Sequence, residues 1–159
     1  MESAANVEGD VLEREAATVL GYMVFEYSRL DMDLGLFLAW SEEGRKLDEL
    51  RGRLADANFK SRLDLLEKLA KSKYSGSSAA DEYARWLLDA NAMRSLRNRL
   101  FHGRWGVVPQ QGLVANVIGL PTSPEQTETR YSITQLRESL QAMRGLRQRL
   151  CSLRQTWPV

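Results

Sequence analysis

The stretch RSLRNRLFHGRWGVVPQQGLVANVIG, residues 94–119, changes its hydrophobic period half-way along. Upstream of it, Tyr83, Trp86, Leu87, Ala90 and Met93 recur at three- and four-residue steps, and Leu96 and Leu100 continue them. That spacing predicts a helix over about 79–101. Gly103 follows at once, where a left-handed cap would stop a helix. Beyond it, two short apolar runs flank a Pro-x-x-Gly turn, so a β-hairpin is expected over about 104–118.

Working outward, the rest of the chain reads as helix. From Val11 to Trp40 a stripe runs through Leu20, Met23, Tyr27, Leu30, Leu34 and Leu38, the pattern of a long amphipathic helix. A polar break at 41–45 is followed by a short helix over 46–55. Asn58 is placed to cap the next helix, in which Leu63, Leu66 and Leu69 face inward. SKYSGSSAAD reads as a loop on composition. After the hairpin comes a loop over 120–129, with RYS a candidate third short strand. The final helix is expected over about 134–155, with Ser132 or Thr134 as its cap. Its leucines recur from Leu136 to Leu153, the spacing of a helix packed along its whole length. The expectation is an all-α domain spanning 1–159: a bundle of four to five helices with a small β-hairpin between the last two.

The chain has 159 residues, 43% hydrophobic and 27% charged, ordinary values for a globular domain. The acidic start MESAANVEGD has no apolar stretch behind a basic end, so a secretory signal is not expected. The most apolar segment is interrupted by Glu26, Arg29, Asp31 and Asp33, so no membrane span is expected. One cysteine, Cys151, fits a reducing cytoplasm. The net charge of +1 hides an asymmetry. From Asn91 onward there are ten basic residues, all arginine, against three acidic ones; before it there are 12 basic and 18 acidic. A positive half suits RNA, and arginine makes forked phosphate contacts. Packing of the acidic half against the basic half is the competing explanation.

Several chemistries drop out. One His and one Cys do not make an ordinary zinc site. No Gly-rich phosphate loop and no nucleophilic Ser elbow is present. Acidic pairs such as Glu42 with Glu43 and Asp48 with Glu49 read as solvated faces. No cofactor is expected. What remains is the basic cluster around the single histidine. His102 is the one side chain of a type that titrates near neutral pH. Arg97 offers an always-charged fork for a phosphate, and a helix C-terminus favours positive charge. RNA can be cut by its own 2′-hydroxyl, given a base, an acid and positive charge on the phosphorane. On a regular helix Arg97 and His102 lie about 140° apart, whereas Asn98 and His102 share a face. Either His102 swings round at the helix end, or the site forms between two chains.

The run Arg97-Asn98-Arg99-Leu100-Phe101-His102 has the form R-N-x-x-x-H at the end of a helix. Here the chain resembles the HEPN superfamily, small helical bundles whose ribonuclease members carry an Arg, often a polar residue after it, and a His a few residues on. The resemblance covers most of the chain in architecture and about six to eleven residues in motif. It implies a metal-independent endoribonuclease, a toxin or a phage-defence effector. It also implies a homodimer in which Arg97, Asn98 and His102 of two copies share a cleft. A toxin would have a neutralising partner, such as a nucleotidyltransferase-like antitoxin. Asn91, Arg94, Arg99 and Arg104 are the candidate RNA-backbone contacts, and Trp105 either stacks on a base or, as is more usual for an aromatic in a strand, packs in the hairpin. The alternative is a non-catalytic dimeric module that binds RNA or protein, using the last helix with Arg137, Arg144, Arg147 and Arg154 as docking surface. Glu26 is expected on the polar edge of the first helix, with burial against Arg94 or Arg97 as the alternative.

Overall fold

A computed structural model describes residues 4–159, with side chains described from residue 7. Among the described residues are five α-helices and one three-stranded sheet, a mostly helical bundle with the expected insertion before its last helix. The helices are α1 (Ala4–Ala39), α2 (Leu47–Ala55), α3 (Phe59–Tyr74), α4 (Ser78–His102) and α5 (Ile133–Thr156). The strands are β1 (Arg104–Val108), β2 (Leu113–Ile118) and β3 (Thr127–Tyr131). The chain divides into two compact units. The first joins the start of the chain, through Glu26, to Ser95–Ala142; the second joins Tyr27–Arg94 to Met143–Val159.

In the first unit the buried side chains include Ala16, Val19, Met23, Leu100, Val114, Leu136 and Leu140. Strands β1 and β2 pair antiparallel, Val108 opposite Leu113 and Arg104 opposite Val117. Pro109–Gln111 makes one tight turn between them, closed by Gly112 at φ +62°. That left-handed backbone is where glycine loses least. The third strand is longer than its apolar content suggested. β3 starts at Thr127 inside the expected loop and pairs with β2 from Ile118 opposite Thr127 to Val114 opposite Tyr131. Its residues are polar because much of it is exposed, and an exposed edge strand carries no apolar alternation to read. α5 opens on a reciprocal cap: Ser132 Oγ accepts from the Gln135 amide at 3.1 Å, and Gln135 Oε1 accepts from the Ser132 amide at 2.8 Å. Two orphan amides are thereby satisfied, which fixes where the helix starts.

In the second unit the buried side chains include Leu30, Leu34, Leu38, Leu63, Leu66, Tyr83, Trp86 and Leu146. Asn58 caps α3 as expected, accepting from the Ser61 amide at 2.9 Å. The buried Trp86 indole donates to the Leu146 carbonyl at 2.9 Å, tying α4 to α5. Arg62 donates to the Asp31 carboxylate at 2.7 Å and to the Leu54 carbonyl at 2.9 Å, tying α3 to α1 and α2. The break after α1 is built differently from a plain loop. Glu42, Glu43 and Gly44 hold φ of 50°, 59° and 77° in succession. A side chain at Gly44 would meet the Trp40 ring at 2.8 Å.

Candidate functional site at the end of α4

α4 stays helical through His102, and the Gly103 amide still donates back to the Arg99 carbonyl at 3.2 Å. Gly103 is not among the residues with left-handed backbone, so the expected left-handed cap is replaced by another constraint. A Cβ at Gly103 would overlap the Asn116 side chain, which sits buried on β2. The glycine is needed because the hairpin's amide comes against the helix end, and not because of its φ.

Asn116 was missed by sequence reasoning. In the amide orientation that satisfies both of its ends, it donates to the Arg99 carbonyl at 3.2 Å and accepts from the Trp105 indole at 3.3 Å. The signal for it was a lone amide side chain within the apolar run LVANVIG, since a buried polar group requires partners. The Trp105 indole also lies 2.8 Å from the Leu100 carbonyl, and its ring tilts against Tyr131 with centroids 5.9 Å apart. Trp105 is half-buried in the structure of the helix end, the packing role expected of a strand aromatic. The sheet thus supplies the Leu100 carbonyl with a donor and the Arg99 carbonyl with a second one.

The residues of the R-N-x-x-x-H run sort by position on this helix end. The Arg97 guanidinium lies 5.4 Å over the Phe101 ring, and its Nη1 donates to Asn98 Oδ1 at 3.3 Å. Arg97 and Asn98 are both half-buried. His102 is exposed as the last helical residue and takes part in no hydrogen bond or ion pair among the described residues. Because the helix does not unwind, His102 does not swing toward Arg97, and the two side chains leave the axis about 140° apart. Arg97 and Asn98 are brought together within one chain; His102 is presented to solvent beside them. Arg99 is exposed. Arg104, also exposed, donates to Gln126 Oε1 at 2.8 Å.

Asn91 and Arg94 belong to the second unit. The Asn91 amide donates to the Leu87 carbonyl one turn back at 2.9 Å. Arg94 Nε is buried with no hydrogen-bond acceptor among the described residues. Glu26 is buried, at 7% exposure, and is not without a partner, so the polar-edge expectation gives way to burial. On α5, Arg147 is held by Asp33 at 2.5 Å and Arg137 lies 3.7 Å from Glu15. Both guanidinia have a carboxylate within ion-pair distance.

Among the described residues no group of three or more His, Cys, Asp or Glu side chains is gathered to hold a metal ion. Among the same residues no helix is long and apolar enough to cross a membrane. No family model, no curated protein and no solved structure matches this chain.

Proposed function

We propose that the chain is a metal-independent endoribonuclease of HEPN type, working as a homodimer in which the α4 ends of two copies meet. One observation carries the reading. An exposed imidazole closes α4, on the same helix end as an arginine–asparagine pair, in a half of the sequence whose basic residues are all arginine. One imidazole removes the 2′-hydroxyl proton, and the oxygen attacks the adjacent phosphorus. The Arg97 guanidinium neutralises the charge that builds on the phosphorane oxygens. The second imidazole, protonated, gives its proton to the departing 5′-oxygen, leaving a 2′,3′-cyclic phosphate and a 5′-hydroxyl. Because each chain contributes one histidine, acid and base both require two copies. Asn98, bonded to Arg97, orients that guanidinium. The exposed Arg99 and Arg104 suit phosphates flanking the cut, and Arg94 and Asn91 are further backbone contacts in this reading. A role as a toxin or phage-defence effector, with an antitoxin of nucleotidyltransferase type, belongs to the same proposal.

The test uses purified protein and structured RNA in EDTA, beside His102→Ala and Arg97→Ala. Cyclic-phosphate ends, lost in both variants, support the nuclease. Binding without cleavage, indifferent to both changes, supports a non-catalytic RNA-binding module and removes the enzyme.

A further inference from the structure

β3 is an open edge of the sheet. It pairs with β2 on one side over all five of its residues, Thr127 to Tyr131, and closes the strand order β1-β2-β3. In an antiparallel ladder, alternate residues turn their amide and carbonyl away from the strand they pair with. Among the described residues, no backbone group outside the sheet bonds to those of β3. The opposite edge, β1, runs beside α1: a Cβ on Gly9 would meet Val107 at 3.7 Å and Pro109 at 3.4 Å. A regular edge with unmet donors and acceptors is a template for another strand.

The side chains of β3 say which strand fits. Its sequence is Thr127-Glu128-Thr129-Arg130-Tyr131. Glu128 and Arg130 are both exposed, share one face of the strand, and meet at 2.6 Å within the chain. Charged side chains ordinarily keep an edge from pairing. Here their order makes one pairing attractive. We infer that β3 is a docking edge for a second copy of this chain, laid antiparallel about a two-fold axis at Thr129. Glu128 then stands opposite Arg130 of the partner subunit, and Arg130 opposite Glu128 of the partner subunit. Thr129 meets Thr129 of the partner subunit, and Thr127 meets Tyr131 of the partner subunit, so every residue of the strand has a counterpart. An axis at 128 or at 130 sets like charges opposite each other, and an axis between two residues of the strand sets each charge opposite an uncharged side chain. The bridge within each chain becomes part of a four-charge network, and two three-stranded sheets become one of six strands. A pair of five-residue strands buries less than the roughly 1,200 Å² of a stable complex, so the association is weak and depends on concentration.

This contact is separate from the meeting of α4 ends in the nuclease reading. Five strand spacings of about 4.8 Å hold the two β1 strands about 24 Å apart, and β1 follows His102 after one residue, so pairing at β3 does not bring two imidazoles to one phosphate. Hydrogen exchange on the full chain reads β3 directly. Its outward amides exchange about tenfold more slowly when the chain is concentrated from about 10 µM to about 1 mM. Glu128→Arg and Arg130→Glu each abolish that dependence, because like charges then face one another across the axis. An equimolar mixture of the two variants restores it, since each presents the charges that the other lacks, and a misfolded variant could not do so. Exchange of β3 that ignores concentration in the wild type overturns the inference. So does a dependence that persists in either variant alone, or a mixture that fails to restore it. RNA cleavage is scored separately: concentration-dependent β3 protection without cleavage removes the nuclease and leaves the edge, and cleavage without that protection does the reverse.

Discussion

Arginines at two places in the molecule are held in different ways. In the second unit, Arg62 is pinned by Asp31 and the Leu54 carbonyl, and Arg149 by Asp89 at 2.8 Å. Just after α4, Arg104 is held by the Gln126 amide oxygen. A carboxylate meets a guanidinium with opposite charge and two acceptor oxygens, whereas an amide oxygen positions it without opposing its charge. The first kind of arginine holds helices together. The second kind is what an RNA phosphate would meet in the proposed site.

Substitutions can break this contrast. The largest effect is expected at the helix end: His102→Ala lowers the rate of RNA cleavage by about 100-fold or more, with the thermal midpoint unchanged because the side chain is exposed. Unchanged cleavage would remove the contrast's functional half. Gly103→Ala is next. Its methyl must displace the buried Asn116 amide, and over-packing of that kind costs about 1–3 kcal/mol, measured as a lower midpoint in denaturant. Arg62→Met should cost about 1–3 kcal/mol, because the Leu54 carbonyl and the Asp31 carboxylate lose their donor, while RNA binding stays as it was. Arg149→Ala is the smallest. Its pair with Asp89 is about half exposed on both sides, and such pairs contribute about 0–1 kcal/mol. Arg104→Ala sharpens the same point from the other side: little change in stability, but a slope of RNA affinity against salt reduced by about one unit.

Tyr83 adds a pH-dependent member. Its buried hydroxyl donates to the Trp157 carbonyl at 2.6 Å, and burial pushes the phenol well above its ordinary range. A raised folded-state pKa means the stabilisation is complete below about pH 10, the unfolded value, and is lost as pH climbs beyond it. Alkaline unfolding of the wild type should therefore be steeper than that of Tyr83→Phe; equal slopes would mean that the phenol does not ionise on unfolding.

The Gly103 result shows where reading a sequence stops. A glycine after a helix is ordinarily assigned to a left-handed cap, and the local letters around Gly103 offer nothing else. The actual constraint comes from Asn116, thirteen residues later and on another element. The strand β3 was obscured for a related reason: TETRY has no alternation because its neighbours leave it exposed.

By itself the sequence determined what depends on local periodicity and capping: a bundle of four to five helices, the hairpin after residue 103, the Asn58 cap, the last helix's start at Ser132 or Thr134, and the placing of Arg97, Asn98 and His102 at one helix end. Those follow from spacing along the chain, since backbone geometry converts spacing directly into a face. Only the tertiary structure decided which groups are covered: Glu26 turned inward, Trp105 and Asn116 holding the Leu100 and Arg99 carbonyls near the end of α4, and His102 left in solvent. Burial depends on what the rest of the fold brings alongside a residue, and no local pattern encodes that.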